Sequence, residues 1–556
     1  MDTQPLSAIR PADLSEPFYY LHNARTLLNW VMQVHPDLLL TDEHQQLKQL
    51  LSLPDEAQAL LFRMVMRKGE WFRSDQLNYA EIPQPTESLN QLAQAGLIDY
   101  SAHCDAKTLS SLCRKHELLQ VCQSLWPEQS LDSKLRKRDL QVLLPAYDLP
   151  AQPLADWWPQ APFTLLRLSC MPLMDRMRLM FFGNLHQDWS EFVLTELGHQ
   201  RYEPVSMDTH NRAFSQRSEV DLYLQLHQLR QKLEDGNELE PLHALLPAAC
   251  PTDWLENRRQ KLAFALGHAV ERSGDLTTAL ALYRDNPHRE ARIRYLRLME
   301  KSATAEATCL AAEEALDQVS QPEARIRIQR IQQRSAKKSG RPIKPQSKTA
   351  IPQLELTLEP SDSLRVETLV IDDLQTQGWR AWHVENQLFT GLFALLFWPA
   401  LYAPVKGAFF HPFQSGPADL YHPDFVLKRQ PLIDAGFRQL ADGQYRTAIL
   451  QTLEQKRGTR CSLIHWPTLE TTLVEQVLAC IPAEHLSAIF RHLLLDLRHH
   501  RRGMPDLICL SPAHNSYQLI EVKGPNDRLQ DHQRLWMEFF IDQGITATLC
   551  QVRFQT

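Results

Sequence analysis

Residues 503–524 read GMPDLICLSPAHNSYQLIEVKG: two short apolar runs joined by a polar turn, with Asp506 opening the first and Glu521-Val522-Lys523 closing the second. Leu, Ile and Val on either side of Pro512-Ala513-His514-Asn515-Ser516 predict an antiparallel hairpin. Asp506 and Glu521 stand about equally far from that turn, so pairing sets them side by side, and the period of two aims Glu521 and Lys523 at one face. Two carboxylates and an ammonium converge. Adjacent carboxylates repel unless a cation neutralises them, and this pair suits a hard divalent ion, Mg2+ or Mn2+, as one or two ions. Such an ion would activate water and stabilise phosphoryl charge, with Lys523 orienting the water. The plainer alternative is a charged rim on an ordinary hairpin.

The letters recur: Pro423-Asp424 is followed by Glu454-Gln455-Lys456. Context separates the two matches. Glu454 falls in YRTAILQTLEQKR (Tyr445–Arg457), whose apolar spacing is helical, so Lys456 points away from Glu454.

The chain has 556 residues, too many for one core, and suggests about three or four domains. Hydrophobic content of 44% and charged content of 22% are ordinary for a globular protein. No apolar run is long enough to span a bilayer, and MDTQPLSAIRPADLSE lacks the basic-then-apolar order of a secretion signal. The expectation is a soluble protein inside the cell, with no membrane partner. Ten cysteines include no Cys-x-x-Cys pair, which argues against structural zinc and for reduced, buried thiols. A net charge of −7 disfavours a nucleic-acid binder as a whole, yet local basic clusters can still grip phosphates.

In chain order, residues 1–107 begin with helical periodicity (Tyr20, Leu21, Ala24, Leu27, Leu28, Val31). They continue through LLFRMVMRKGEWFRSDQLNY and ESLNQLAQAGLIDY, a helix, a basic-aromatic turn and a second helix resembling a winged-helix unit. Residues 108–195 contain LSSLCRKHELLQVCQSLWPEQSLDSKLRKRDLQVLL, read as two amphipathic helices about a polar connection. The second opens with Lys134, Arg136, Lys137 and Arg138, similar to an SAP module that holds DNA phosphates. A short strand pair is expected within Phe163–Leu168. Residues 196–334 include FALGHAVERSGDLTTALALYRD, matching a tetratricopeptide helix pair turned at Gly274-Asp275, and predict stacked helices that can receive protein partners. Arg258, Arg259, Lys261, Arg289 and Arg292 are its candidate DNA-backbone contacts, against the alternative of solvated arginines paired with nearby acids. Residues 335–351, SAKKSGRPIKPQSKTAI, read as a linker.

Residues 352–556 complete the pattern. After a helix at Leu364–Gln377, Glu385 stands at the head of a strongly apolar helix (Leu388, Leu392, Phe393, Leu396). Beyond the hairpin come the amphipathic DRLQDHQRLWMEFFIDQG and a final strand at Thr546–Phe554. Helix, hairpin, helix and strand, with acids at the hairpin's open end, resemble the restriction-endonuclease-like α/β arrangement, PD-(D/E)xK. RRGMPDLICL, LIEVKGPNDRLQDHQRLW and ENQLFTGLFALLFWPALYAPVKGAFFHPFQSGPADL resemble the Fanconi-associated nuclease family and its VRR-NUC domain. That resemblance implies a multidomain, mostly α protein. It implies metal ligands at Glu385, Asp506, Glu521 and the Val522 carbonyl, a catalytic lysine at Lys523, a positioning role for Gln533, and phosphate contacts at Arg501 and Arg502. It further implies a hydrolase acting on branched or flapped DNA, with 5′ flap endonuclease and 5′-to-3′ exonuclease activity, in repair of interstrand cross-links. The absence of cysteine pairs leaves no ubiquitin-binding zinc finger, which points to a bacterial, cytoplasmic member. The rival readings are a four-way junction resolvase and a non-catalytic scaffold.

Overall fold

The computed structural model describes residues 16–126, 134–146, 149–196, 200–205, 212–236, 239–319, 321–342, 349–361, 363–511 and 516–555. The start of the chain, most of the polar connection in the SAP-like region, residues 343–348 of the expected linker and residues 512–515 of the hairpin turn lie outside them. The chain divides into two compact units. One comprises residues 1–201, 207–220 and 410–413, and the other residues 202–206, 221–409 and 414–556.

In the first unit, helices Tyr19–Val34 and Asp55–Val65 bury Leu27, Leu28, Leu60 and Leu61 completely, as their helical spacing requires. Strands β1 (Trp71–Arg73) and β2 (Ile98–Asp99) flank β3 (Leu165–Leu168) in a three-stranded antiparallel sheet. The strand pair expected within Phe163–Leu168 is therefore one strand, and its partners come from residues expected in the preceding domain. A second tie follows the same route. Arg73, buried, pairs with buried Glu117 at 2.6 and 2.8 Å and stacks its guanidinium 3.6 Å from the Phe163 ring centre. Over the stretch Leu109–Leu144, read as two helices, the described residues form parts of three: Ala106–Leu112, Lys115–Leu125 and Lys137–Ala146, the first two separated at Cys113-Arg114. Phe410–Phe413 contributes His411 and Phe413 to an aromatic cluster with Phe181, Phe182 and Phe192. Burial pushes the His411 imidazole down to about 3.

In the second unit, helices Asp253–Ser273 and Leu276–Arg284 form the expected pair, with Gly274 at φ +98° closing the first and the Asp275 side chain accepting the Thr278 N–H of the second. Gly267 lets the helices meet: a Cβ there would stand 2.7 Å from the Tyr283 ring. Helices Arg289–Ser302, Ala305–Gln318 and Pro322–Lys338 continue the array, the last of them taking in the first residues assigned to the linker.

The nuclease-like part is built on a five-stranded sheet, ordered β4 (Gln353–Leu358), β8 (Ala547–Phe554), β7 (Ser516–Lys523), β6 (Leu507–Ser511) and β5 (Arg380–His383). β8 runs parallel to both β4 and β7, and β6 pairs antiparallel with β5 and β7. Strand β4, whose alternating half-exposed pattern carries a weak apolar signal, adds an edge that the sequence reading lacked. Alternation divides the sheet. Leu507, Cys509, Ile520 and Val522 face Val370 and Leu374 of helix Val366–Thr376. Ile508, Leu510 and Leu519 face the larger core that includes helices Gln387–Leu396 and Asp531–Asp542. The second face is the one that Glu521 and Lys523 extend.

Two measurements check this packing. Gly267→Ala should gain about 1 kcal/mol of helix propensity but lose about 1–3 kcal/mol to overpacking against Tyr283, for a net loss of stability in denaturant titration. The His411 pKa lies below its unfolded value, so the unfolded chain takes up the proton first, and stability is lost as pH falls from about 6.5 toward 3. Thermal melting across that range should show a shallower slope in His411→Gln than in the parent.

Candidate active site

The hairpin register pairs Leu507 with Ile520 and Ile508 with Leu519, so one step outward Asp506 stands across from Glu521. Asp506 is a three-way junction. Its carboxylate Oδ2 accepts the Val522 N–H at 2.9 Å, and its carbonyl accepts both the Val384 N–H at 2.8 Å and the Glu385 N–H at 3.0 Å. This joins the end of β5 to the start of β6 and the end of β7. Converging two consecutive amides on one oxygen forces the backbone: among described residues other than glycine, Glu385 alone has positive φ, at +41°. That conformation costs about 1–2 kcal/mol for an L residue, and such strain concentrates at functional sites. Glu385 was expected at the head of the apolar helix. It instead precedes the helix, whose N-cap is Asn386 and which runs Gln387–Leu396. Its position comes from the Asp506 carbonyl, not from the helix dipole.

Glu521 is fully buried. Lys523 Nζ lies 2.7 Å from its Oε1, an ion pair that opposes the rise of its pKa, and among the described residues neither carboxylate oxygen receives an aligned hydrogen bond. Burial, and then the Asp506 charge, raise the Glu521 carboxyl to about 7. Burial also raises Asp506, opposed by the Val522 amide and Lys523 and reinforced by Glu367 and Glu385. Among the described residues no three carboxylate, histidine or cysteine side chains close into a ready-made metal cage. The donor set nevertheless fits a cation, because Glu521, Asp506 and Glu385 act on one another as like charges and the Lys523 ammonium offsets only one of them. Glu385, Asp506, Glu521 and the Val522 carbonyl are the oxygens available for one.

The lead-in to Asp506 is pinned. Trp536 Nε1 donates to the carbonyls of His500 and Arg502, each at 3.0 Å, and Gly503 lies so close to the next helix that a Cβ would meet the His532 backbone at 2.8 Å. Gln533 lies in the first turn of that helix, where its Oε1 accepts the Gln530 N–H at 3.0 Å as part of a capping box. Arg501 is half-buried with its guanidinium 5.2 Å from the Tyr421 ring centre, joined there by Arg498 at 5.3 Å, while Arg502 is exposed. The second Pro-Asp match stays apart from this chemistry: Lys456 ends a helix and pairs with Glu203 at 2.6 Å, and Asp424 pairs with Lys428 at 2.8 Å.

The remaining basic candidates differ in what already holds them. Arg136 pairs with Asp139 at 3.1 Å, Arg259 with Glu256 at 2.6 Å, and Arg289 with Glu323 at 3.3 Å. Arg292 donates to Gln318, and Arg258 stacks 4.0 Å from the Tyr223 ring centre. Lys137 is half-buried, while Lys134, Arg138 and Lys261 are exposed. Partial desolvation, followed by the Arg498 and Arg258 cations, holds the Lys261 ammonium below the usual lysine range. Three residues escaped the sequence reading: Glu367, whose charge acts on Asp506, Arg498, which was visible only as part of the basic run before Asp506, and Asn386, visible as an N-cap residue directly after an acid.

A hairpin ending in an acid, an acid and a lysine, on a mixed sheet flanked by helices, defines the class as a metal-dependent nuclease, and residues 440–554 match the VRR-NUC domain. Glu385 lies before that match. Residues 18–99 match the FAN1, HTH domain, in agreement with the winged-helix-like reading of the first part of the chain. The chain is 41% identical over 99% of its length, and 98% of the relative's, to the Fanconi-associated nuclease 1 homolog of Pseudomonas aeruginosa. It is 30% identical to human Fanconi-associated nuclease 1 over 34% of this chain and 19% of that one. A crystal structure of paFAN1 bound to 5′ flap DNA with a 2-nt flap and a gap superposes with a TM-score of 0.93, at 40% identity, covering 98% of this chain and 99% of that one. This protein belongs to the Fanconi-associated nuclease family. It is a hydrolase of phosphodiester bonds with the divalent-metal dependence of its domain class.

Glu385→Gly removes the strain of the positive φ. Its melting temperature should hold or rise, by the equivalent of about 1 kcal/mol, while nuclease activity falls to background.

Proposed function

We propose that the protein is a structure-specific DNA nuclease that cuts 5′ flaps and degrades from 5′ ends, using Mg2+ or Mn2+, in the repair of interstrand cross-links. The observation that carries this reading is the convergence of Glu385, Asp506, Glu521 and Lys523 at the open end of one hairpin. The near full-length likeness to paFAN1 crystallised on 5′ flap DNA supports the substrate class.

In this reading Glu385, Asp506, Glu521 and the Val522 carbonyl hold the ion. When bound, it supplies positive charge toward the scissile phosphate and lowers the pKa of the attacking water. Glu521 brings buried negative charge to the site, and the Asp506–Val522 hydrogen bond keeps the second carboxylate from turning away. The Lys523 ammonium, held beside Glu521, orients the water and donates to phosphoryl oxygens as negative charge builds there. Gln533 caps the helix after the catalytic strand and so sets where that helix begins.

DNA recognition rests on phosphate contacts, which read shape and carry no sequence information directly. Arg258, Lys261, Arg501 and Arg502 are the strongest candidates, together with Arg498. Lys134, Lys137 and Arg138 serve a second contact in the SAP-like region. Arg136, Arg259, Arg289 and Arg292 already have protein partners, so binding DNA through them requires exchanging an ion pair or hydrogen bond.

Asp506→Ala and Lys523→Ala, assayed with Mg2+ and with Mn2+ on flap, nicked and four-way substrates, should lose cleavage by roughly three orders of magnitude or more while keeping DNA affinity. Cleavage by a folded Asp506→Ala protein overturns the site. Symmetric cutting of four-way junctions in preference to flaps would favour a resolvase instead.

A further inference from the structure

The strained Glu385 carries a feature that the metal-site reading does not use. Asn386 follows it, and its side chain bridges two segments: Oδ1 accepts the Met504 N–H at 3.0 Å, and Nδ2 donates to Glu385 Oε1 at 2.9 Å. The two contacts fix each other. Because Met504 presents a donor, the amide oxygen must face it, which leaves only the NH2 to face Glu385. A donor aimed at one carboxylate oxygen restricts rotation of the acid and leaves the other oxygen to point elsewhere. Met504 is also two residues before Asp506, whose carbonyl sets the Glu385 backbone. One acid is thus held twice by the same segment, by its backbone through the Asp506 carbonyl and by its side chain through Asn386.

We propose that Asn386 is a positioning residue for the nuclease centre, orienting the Glu385 carboxylate toward the divalent ion by a hydrogen bond that Met504 locks in direction. This rests on the reading of Glu385 as a ligand. A carboxylate left to rotate after loss of its outer partner binds metal more weakly, and such partners are typically worth about 10–100-fold in metal affinity. Chemistry also distinguishes the two jobs of the amide. Aspartate at this position keeps an oxygen for the Met504 N–H but turns a second negative oxygen toward Glu385. The fold-supporting contact survives while the orienting contact becomes repulsive.

The test is Mn2+ binding to the full-length protein, followed by electron paramagnetic resonance of the free ion without DNA, alongside thermal melting and flap-DNA affinity. Asn386→Asp and Asn386→Ala should each weaken Mn2+ binding by about tenfold or more, with DNA affinity unchanged and Asn386→Asp melting close to the parent. In a Glu385→Gln background the Asn386→Asp substitution should add no further loss, because the carboxylate it acts through is gone. If Glu385→Gln weakens Mn2+ binding and Asn386→Asp does not, the positioning role is overturned while the metal site stands. If Glu385→Gln itself leaves Mn2+ binding intact, Glu385 is not a ligand and both readings fall. An equal loss from Asn386→Asp with and without Glu385 also overturns the proposal, since Asn386 would then act by another route.

Discussion

The centre depends on one residue's hydrogen bonds. Asp506 accepts at its carbonyl from Val384 and Glu385 and at its carboxylate from Val522, so the ends of β5, β6 and β7 meet at one point. Each of those bonds is a modest stabiliser, worth about 1 kcal/mol net. Their value is geometric. They hold Glu385 in a backbone conformation it would not adopt alone and keep Asp506 and Glu521 side by side despite their repulsion. Three carboxylates act on one another there and the Lys523 ammonium offsets one of them, an arrangement that favours capture of a further cation.

Around that junction the fold supplies rigidity on two sides. One face of the sheet is sealed by helix Val366–Thr376 and the other by helices Gln387–Leu396 and Asp531–Asp542. Trp536 and the close approach of Gly503 fix the segment that delivers Asp506. The helical array reaches this part of the molecule directly: Arg330, on helix Pro322–Lys338, pairs with Asp531 through both carboxylate oxygens, at 2.6 and 2.5 Å. Asp531 begins the helix that follows β7. The helical array and the helix that follows β7 are thus packed as neighbours within one unit.

Local pattern was a good guide wherever the signal was itself local. The hairpin, the helix pair turned at Gly274 and the amphipathic helix after Lys523 follow from apolar period and turn chemistry, and the helical spacing of Tyr445–Arg457 set Lys456 apart from Glu454, as the helix there does. It was a poor guide where pairing is distant. β4 is a half-exposed edge whose partner lies almost 200 residues away, in β8. β3 pairs Leu168 with Ile98 on one side and Arg167 with Trp71 on the other, partners from well back in the chain, and Arg73 finds Glu117 across the same divide. Composition also hid the state of the arginines. A row such as Arg258, Arg259 and Lys261 looks uniform in sequence, yet one is stacked on tyrosine, one is paired with glutamate and one is exposed.

The sequence alone determined that Asp506, Glu521 and Lys523 share a face, because the period of a strand and the symmetry of a hairpin are properties of neighbouring residues. Its resemblance to a nuclease family supplied Glu385 as the third acid. Only the tertiary structure decided how Glu385 arrives: not carried on a helix, but bent into a left-handed conformation by the Asp506 carbonyl and held by Asn386. No local signal marks such a residue, since glutamate has no preference for positive φ. What holds it there is the Asp506 carbonyl, and Asn386 fixed in turn by the Met504 N–H, contacts from one distant segment that exist only once the sheet has formed.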